Sequence, residues 1–516
     1  MNSNFVHENG NMDRLPDEDI FEINENNELV AVKEQACNIE HFVVPEGVTK
    51  ICSKAFFYAD NMISVQLPDS LEIIEDDAFL VKDNLESVVI PKNVVYVGGF
   101  ECCTSLKSVT LPEGLKVIGK SAFKGCINLK EINIPSTVEI IQPYAFYRCN
   151  NLKSIVFPEG ITVIPEFACG ECYSLESVSI PKSVFEIKNR AFVFCNNLTN
   201  VNIPGTVDSI DNAAFCGCLN LESVIGFNKD TELGGGVIAG CSKLKQFGPY
   251  KINSDFFTVN NILNSYTNIS HKKEVIIPDN FNVIECAAFY GCNNITNIEV
   301  PDSVETIGNH AFCLCSDLEY IKLPELKVIH NGTFLDCENL KEINIPESVT
   351  RIGSYAFEGC SSMENIELPG KVKYIGKAAF KGCSNLEHFL FPRNVTNIEE
   401  QCFAKCTRLE DIVCRGNIKY IGPRAFNCCI NLKSIVLNNS IEMVDKFAFS
   451  MCKNLEFINI DTMVFFMSKY KNLKKLSIDN TATFGCVNLK EIKVPKDIDF
   501  TGPFSTKGSG PYLKWV

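Results

Sequence analysis

A phenylalanine, usually preceded by an alanine, recurs along this chain at intervals of 23 residues or close to it. We call its position the phenylalanine slot. Phenylalanine occupies the slot at positions 56, 79, 123, 146, 192, 215, 289, 312, 334, 357, 380, 403, 426 and 449. Cys169 and Ile238 stand in the slot where phenylalanine is missing, and Phe100 comes two residues early. A fixed period of this length predicts a solenoid, in which each coil buries its apolar edge only against its neighbours.

One clear copy of the repeat runs from Leu129 to Asn151. Its first residues, Leu129–Ile134, alternate apolar and polar side chains, which predicts a half-buried strand. Pro135 ends the strand because it has no backbone N–H to donate. Two aliphatic residues then give the coil a second inward-facing side, and an alanine–phenylalanine pair opens a short turn or 3-10 segment.

This repeat resembles the BspA-like, or Treponema-type, leucine-rich repeat, whose units read much like LxxIxIPxxVxxIGxxAFxGCxN. The clearest copies here are Leu106–Asn128, Leu340–Ser362 and Met363–Asn385. The resemblance implies a β-rich leucine-rich-repeat solenoid of about 23 residues per coil, with short turn or 3-10 segments. It also implies a role in adhesion or partner binding, with display at the cell surface in some bacteria.

The period fails between Cys241 and Val275, and the sequence there is similar to the start of the chain. Both segments run from an aromatic residue through an asparagine-rich turn to a strand-like segment, and in this family such a segment resembles an N-terminal cap. We therefore predict an N-terminal cap region at 1–45, a first array at 46–249, an internal cap-like hairpin at 250–274 and a second array at 275–460. Leucines at 455, 473 and 489 are only 18 and 16 residues apart, which predicts shortened repeats and a C-terminal cap at 461–516.

The net charge of −15 is spread along the chain and makes nucleic acid an improbable partner, because acidic surfaces repel phosphates. No stretch reaches the roughly 18 apolar residues of a membrane span. The first 21 residues lack the basic and apolar regions of a secretory signal peptide. We therefore expect a cytoplasmic protein, with the cell surface as the alternative that the family resemblance implies.

Cysteine is abundant, with 26 residues, and its spacing follows the repeat. Fifteen cysteines stand three residues after the phenylalanine slot, at 103, 126, 149, 172, 195, 218, 241, 292, 315, 337, 360, 383, 406, 429 and 452. We call this series the cysteine ladder and predict that its thiols are buried packing groups. Reactive, disulfide-linked or metal-binding thiols are the alternatives.

Catalytic and metal-binding patterns are weak in this sequence. The six histidines do not combine with serine, cysteine or acidic residues at a recognisable spacing. Cys169 and Cys172 form a CxxC, but a second pair to complete a zinc site is not found nearby. We predict no enzyme activity, no metal site and no cofactor.

The outward positions of the predicted strands in the second array carry aromatic and aliphatic residues on an otherwise polar face. This composition is typical of an interface core, although β-branched residues also suit strands for their own sake. The predicted partner-binding residues are Tyr320, His388, Leu390, Val413, Val436 and Phe457. The sequence thus favours a non-catalytic scaffold for protein–protein recognition or adhesion, with an unknown protein partner. A self-assembling surface or coat protein is the alternative.

Overall fold

The computed structural model describes residues 17–414, 416–438, 440–461, 475–494, 499–501 and 512–515. The chain forms a β-solenoid of about 19 turns, about 23 residues apart, with almost no helix in the described residues. The predicted fold class is therefore confirmed. The helical elements of the described residues are one short α-helix, Asp17–Ile20, and one 3-10 helix, Glu34–Ala36.

Most coils contribute two short strands, which we name the face strand and the back strand. In the coil that begins at Leu152, the face strand is Ser154–Val156 and the back strand is Val163–Ile164. The central Ile155 of the face strand is buried, and both of its neighbours are exposed. Each strand pairs in parallel with its equivalent in the next coil, so backbone groups are satisfied between coils rather than within one.

The first compact unit comprises Met1–Ile210, Leu221–Thr231 and Gln246–Pro249. Its face strands are His41–Val43, Ser64–Gln66, Ser87–Val89, Ser108–Thr110, Ser154–Val156, Ser177–Ser179, Asn200–Asn202, Ser223–Ile225 and Gln246–Phe247. Its back strands are Lys50–Ile51, Ile73–Ile74, Tyr96–Val97, Val117–Ile118, Ile140–Ile141, Val163–Ile164, Glu186–Ile187 and Ser209–Ile210.

The second compact unit comprises Asp211–Asn220, Glu232–Lys245 and Tyr250–Val516. It includes the two-residue strands Glu232–Leu233 and Tyr250–Lys251. Its face strands are Glu274–Ile276, Asn297–Glu299, Tyr320–Lys322, Glu342–Ile343, His388–Phe391, Asp411–Cys414, Ser434–Asn438, Phe457–Asp461, Glu491–Val494 and Tyr512–Trp515. Its back strands are Val283–Ile284, Thr306–Ile307, Val328–Ile329, Arg351–Ile352, Tyr374–Ile375, Asn397–Ile398, Tyr420–Ile421, Met443–Val444, Lys475–Ile478 and Asp499–Thr501.

Each unit contains an antiparallel hairpin. In the first unit Phe21–Ile23 pairs with Glu28–Val32, and in the second unit Phe256–Val259 pairs with Ile262–Tyr266. The later strand of each hairpin then pairs in parallel with the back strand that follows it. Each hairpin therefore supplies hydrogen-bond partners to the back strand of the next coil.

The core of each coil is built around the phenylalanine slot, whose rings stack from coil to coil. In the first unit the ring centroids of Phe56 and Phe79 are 4.4 Å apart and nearly parallel. In the second unit the stack begins at Tyr266, a fully buried residue whose ring lies 4.8 Å from that of Phe289. The stack continues at spacings of 5.1 to 5.6 Å through Phe449. Such pairs contribute about 0.5–1.5 kcal/mol each beyond the burial of their area.

Two copies of the repeat do not form the expected face strand. In the copy that begins at Leu129, Ile132 and Ile134 are buried, and Glu131 and Asn133 are exposed, as the alternation predicts. However, the backbone of 131–133 is not in a strand, and neither is that of 364–368. The predicted burial pattern is therefore present at Leu129–Ile134, but the predicted strand is not.

The sequence distance between paired face strands is larger after Phe449 than in the coils before it. The face strand at Phe457 pairs directly with the one at Glu491, 34 residues further along the chain. Thr483 consequently stands in the phenylalanine slot. Leu473, one of the leucines from which shortened repeats are predicted, lies outside the described residues.

Candidate functional site

Three aliphatic side chains point away from the core on consecutive face strands of the second unit. Leu390, Val413 and Val436 are 39%, 51% and 42% exposed. On the same strands Phe389, Ile412 and Ile435 are buried, because successive side chains of a strand point to opposite faces. The face strands thus present one apolar residue each to the solvent.

These three residues are neighbours across the sheet. In the parallel register, Leu390 is opposite Val413, and Val413 is opposite Val436. Adjacent strands are about 4.8 Å apart, so the three side chains form one continuous surface, which we name the apolar strip. The next residue in the series, Asn459, is polar and ends the strip.

The apolar strip lines an open groove of about 880 Å³, which we name the apolar groove. Its lining residues are Asn365, Ile366, Glu367, Leu368, His388, Phe389, Leu390, Asp411, Ile412, Val413, Ser434 and Val436. The imidazole of His388 lies beside the carboxylate of Asp411, with 3.4 Å between Nδ1 and Oδ2. The groove therefore combines an apolar wall with a small polar cluster, as protein-binding surfaces commonly do.

A second open groove of about 640 Å³ lies beside it, on the coils that precede the apolar strip, and we name it the acidic groove. It is lined by Tyr320, Lys341, Glu342, Ile343, Asn344, Ser362, Glu364, Asn365, Ile366, Glu367 and Asn385. The two grooves share Asn365, Ile366 and Glu367 and are therefore continuous.

The structure brings most of the predicted partner-binding residues to these grooves. His388, Leu390, Val413 and Val436 line the apolar groove, and Tyr320 lines the acidic one. Phe457 is on the same face, opposite Ser434, but it lines neither groove. Its half-buried ring is covered by the ammonium groups of two lysines, whose Nζ atoms lie 5.4 and 5.7 Å from the ring centre.

The first unit also exposes aliphatic residues on its face strands, which the sequence analysis overlooked. Val89 and Val156 are 67% and 64% exposed, and Val43 and Ile225 are exposed too. The strand alternation alone predicts that these side chains point outward, because they stand at the same repeat position as Leu390. Each is separated from the next by coils with polar residues at that position, so they are single exposed side chains rather than a strip.

The cysteine ladder has a consistent geometry in both units. The ladder thiol donates a hydrogen bond to the carbonyl oxygen of the slot residue in the preceding coil, as from Cys126 to Phe100 at 3.1 Å. The same bond, at 3.0 to 3.5 Å, is made by Cys103, Cys149, Cys172, Cys195, Cys241, Cys292, Cys315, Cys337, Cys360, Cys383, Cys406, Cys429, Cys452 and Cys486. Cys486 was missed by the sequence analysis because Thr483 replaces the phenylalanine before it.

Burial governs the chemistry of these thiols. It raises the pKa of the Cys103 thiol to about 12 and the pKa of Cys126 and Cys360 well above the usual range. The thiolate, which is the nucleophile and the metal ligand, is therefore scarce at neutral pH. Cys172 of the CxxC pair donates to the carbonyl oxygen of Phe146 at 3.1 Å, like any other ladder thiol.

In the described part of the chain, no three His, Cys, Asp or Glu side chains converge closely enough to hold a metal ion. Nor does any helix there have the length and apolar character needed to cross a membrane. The arrangement that the structure does build is a pair of continuous grooves on the side of the second unit that carries the face strands. Such a surface can bind a partner through apolar contact and charge.

The repeat signature of one known family matches the chain. It is described as "BspA type Leucine rich repeat region", occurs in six copies and covers residues 34–153, 116–245, 262–385 and 350–477. No protein of curated function matches the chain closely.

Several solved structures are similar to the chain. A leucine-rich repeat protein of Bacteroides ovatus is 26% identical, covering 80% of this chain and 91% of its own, with a TM-score of 0.36. A leucine-rich cell surface protein of Faecalibacterium prausnitzii is 27% identical, covering 79% of this chain and 95% of its own, with a TM-score of 0.42. A leucine-rich repeat protein of T. pallidum is 30% identical and covers 36% of this chain and 91% of its own, with a TM-score of 0.32.

Proposed function

Because this chain belongs to the BspA-type leucine-rich repeat family, we propose that it is a non-catalytic scaffold that binds a protein partner on the face strands of its second unit. The observation that carries the proposal is the apolar strip. Leu390, Val413 and Val436 are exposed and contiguous across three neighbouring face strands. An exposed apolar patch with a polar rim is what a partner buries on association.

The rigidity of the coils supports recognition by this surface. The face strands rest on buried residues such as Phe389 and Ile412, and behind these lies the aromatic stack of the second unit. The ring of Phe389 is 4.6 Å from that of Phe403. A surface held in this way loses little conformational entropy when a partner binds, which favours affinity.

A photo-crosslinking amino acid placed at Val413 tests the proposal. We expect the full-length protein, in its native cell, to form a defined adduct with a partner that mass spectrometry identifies. The matched control is the same amino acid at Val156, which has the same repeat position and a similar exposure but no apolar neighbour. Equal adducts from both positions would contradict the proposed face.

The identified partner then allows an affinity measurement on the purified proteins. Leu390→Asp places a charge on the apolar strip and should weaken binding by about 1–4 kcal/mol, which is roughly fivefold or more. A self-assembling coat protein, the alternative function, would instead show adducts between copies of this chain and a mass that grows with concentration in light scattering.

The cellular location is also a proposal. The ladder cysteines act as S–H donors, and a reducing compartment such as the cytoplasm keeps thiols in that form. We propose the cytoplasm, with display at the cell surface as the alternative suggested by the family. Protease treatment of intact cells distinguishes them, because only a displayed protein is digested.

A further inference from the structure

The acidic groove contains three carboxylates that have no internal cation. Glu342, Glu364 and Glu367 are exposed, and none of them forms an ion pair within the described residues. Lys341 lines the same groove, but its ammonium nitrogen lies 2.7 Å from the carboxylate of Glu319. The groove therefore presents uncompensated negative charge.

Elsewhere on the surface of the solenoid, part of the negative charge is compensated by ion pairs. Carboxylates beside the face strands elsewhere are repeatedly paired with a lysine of a neighbouring coil at 2.5 to 2.9 Å. The pairs are Lys107–Glu86, Lys153–Glu176, Lys341–Glu319, Lys433–Glu410 and Lys490–Glu456. Glu364 stands at the same repeat position as these paired residues. In the next coil that position is occupied by Glu387 rather than by a lysine, and Glu387 lies near Arg408.

The acidic and apolar grooves are also ordered along the solenoid. One coil carries Glu342, and the next coil carries Glu364 and Glu367. The three coils after that carry the apolar strip. Four steps of about 4.8 Å separate the first of these coils from the last, a span of about 19 Å. An extended chain covers that span with about six residues, at roughly 3.3 Å each.

We propose that these two grooves together bind an extended segment of a partner protein that carries lysine or arginine residues at one end and aliphatic residues at the other, about six residues apart. This inference rests on the proposed function and names the chemistry of the partner. The cations complement Glu342, Glu364 and Glu367, and the aliphatic side chains cover the apolar strip. Uncompensated charge next to an apolar patch selects such a segment over an acidic or a purely apolar one.

Other occupants fit the same surface less well. A nucleic acid would bring its phosphates against the three carboxylates. A second copy of this chain carries a net charge of −15, which disfavours its approach to an acidic groove. A bound metal ion would need convergent ligands, and the described residues contain no such group.

Selection from a phage-displayed library of random dodecapeptides against the full-length protein at low salt tests the inference. We expect the selected peptides to combine Lys or Arg with aliphatic residues at the predicted separation. The best peptide should lose affinity by about tenfold in the triple variant Glu342→Lys, Glu364→Lys, Glu367→Lys, since three exposed ion pairs contribute that much together. A selection against this variant should enrich Asp or Glu instead.

The matched control is Glu113→Lys, Glu131→Lys, Glu159→Lys, which changes the net charge equally on exposed residues of the first unit. It should alter the affinity less than twofold. Loss of affinity in both triple variants, absence of selected peptides, or selected peptides without basic residues would overturn the inference. If Leu390→Asp weakens the best peptide while the groove variant does not, the proposed face stands and only the charge preference is wrong. If neither change matters, the proposed face fails as well.

Discussion

The thiol of Cys360 donates a hydrogen bond to the carbonyl oxygen of Phe334, one coil earlier, across 3.2 Å. The same oxygen accepts the backbone N–H of Cys337 at 3.2 Å. A carbonyl oxygen has two lone pairs, and the thiol therefore satisfies the second one inside the core. Cysteine suits this position because it is small and apolar and still carries a weak donor.

Replacement of a ladder cysteine should therefore destabilise the protein. Cys360→Ala removes the donor and leaves a small cavity. Cys360→Ser buries a more polar hydroxyl group, and its C–O bond is shorter than the C–S bond of cysteine. We expect each to lower the free energy of unfolding by about 1–3 kcal/mol. Denaturant titration measures the loss. Cys52→Ser, at a partly exposed cysteine outside the ladder, is the control and should cost less than about 0.5 kcal/mol. Equal effects at both positions would show that the ladder bond is unimportant.

The reactivity of the thiols should divide the cysteines into two groups. Cys37, Cys52, Cys102, Cys286, Cys414, Cys428 and Cys486 are partly exposed, and the other cysteines are buried. We expect iodoacetamide to label only members of the first group in the native protein, and all cysteines after denaturation. Mass spectrometry of the labelled peptides gives the result. Rapid labelling of Cys126 or Cys149 in the native protein would contradict the buried ladder.

The sequence was sufficient to predict the architecture because the repeat itself is the physical constraint. A slot residue such as Phe357 and its ladder cysteine Cys360 recur at a fixed distance, so each coil predicts the next. Alternation likewise identified Leu390, Val413 and Val436 as outward residues, because period 2 fixes the side of a strand.

What the sequence did not reveal depends on contacts between coils. The place of Tyr266 in the aromatic stack follows from the hairpin, which breaks the period. The larger sequence distance between Phe457 and Glu491 hides the ladder position of Cys486. The acidic groove is likewise invisible in a list of residues, because a glutamate is uncompensated only when the neighbouring coil lacks a cation to meet it.

The consensus glycine before the ladder cysteine should be favoured by the backbone conformation at this position. Gly382 has a φ of 75°, and an added Cβ would meet only ordinary contacts, the nearest at 3.6 Å. Gly382→Ala should therefore destabilise through left-handed strain alone, by about 1 kcal/mol. Gly370→Ala is the control, because Gly370 has open space around it and no positive φ, and we expect it to be neutral or slightly stabilising. Thermal unfolding of both variants checks the difference in sign.

The carboxylate of Asp336 should reduce stability at neutral pH. Partial burial raises its pKa, and the nearby charges of Glu358 and Glu338 raise it further. A pKa raised by folding means that the ionised form is disfavoured in the native state. Stability is therefore lost as the pH rises from the unfolded pKa, near 3.9, through the higher folded value. Asp336→Asn removes this loss, and asparagine also tolerates the left-handed backbone of this residue, whose φ is 55°.

We accordingly expect Asp336→Asn to be more stable than the wild type at pH 7, and the difference to shrink toward pH 3. Denaturant titrations at several pH values provide the measurement. Asp302→Asn, at an exposed carboxylate, should have little effect at either pH. A constant stabilisation by Asp336→Asn at all pH values would assign the effect to the backbone rather than to the charge.

Variants of the face strands separate a binding surface from ordinary strand composition. Leu390→Asp and Val436→Asp should weaken partner binding by about 1–4 kcal/mol each, because the contact then buries a charge that lacks a partner. Both side chains are exposed, so the free energy of unfolding should change by less than about 0.5 kcal/mol. Phe457→Ala, at the end of the same face, should also weaken binding if the contact extends past the apolar groove. Val156→Asp is the matched control on the first unit and should leave the affinity unchanged. Calorimetry with the partner that cross-linking identified measures these affinities. If Leu390→Asp and Val436→Asp keep the fold and bind the partner unchanged, the apolar strip is not a binding surface. Its composition then reflects only the preference of strands for β-branched and aliphatic residues.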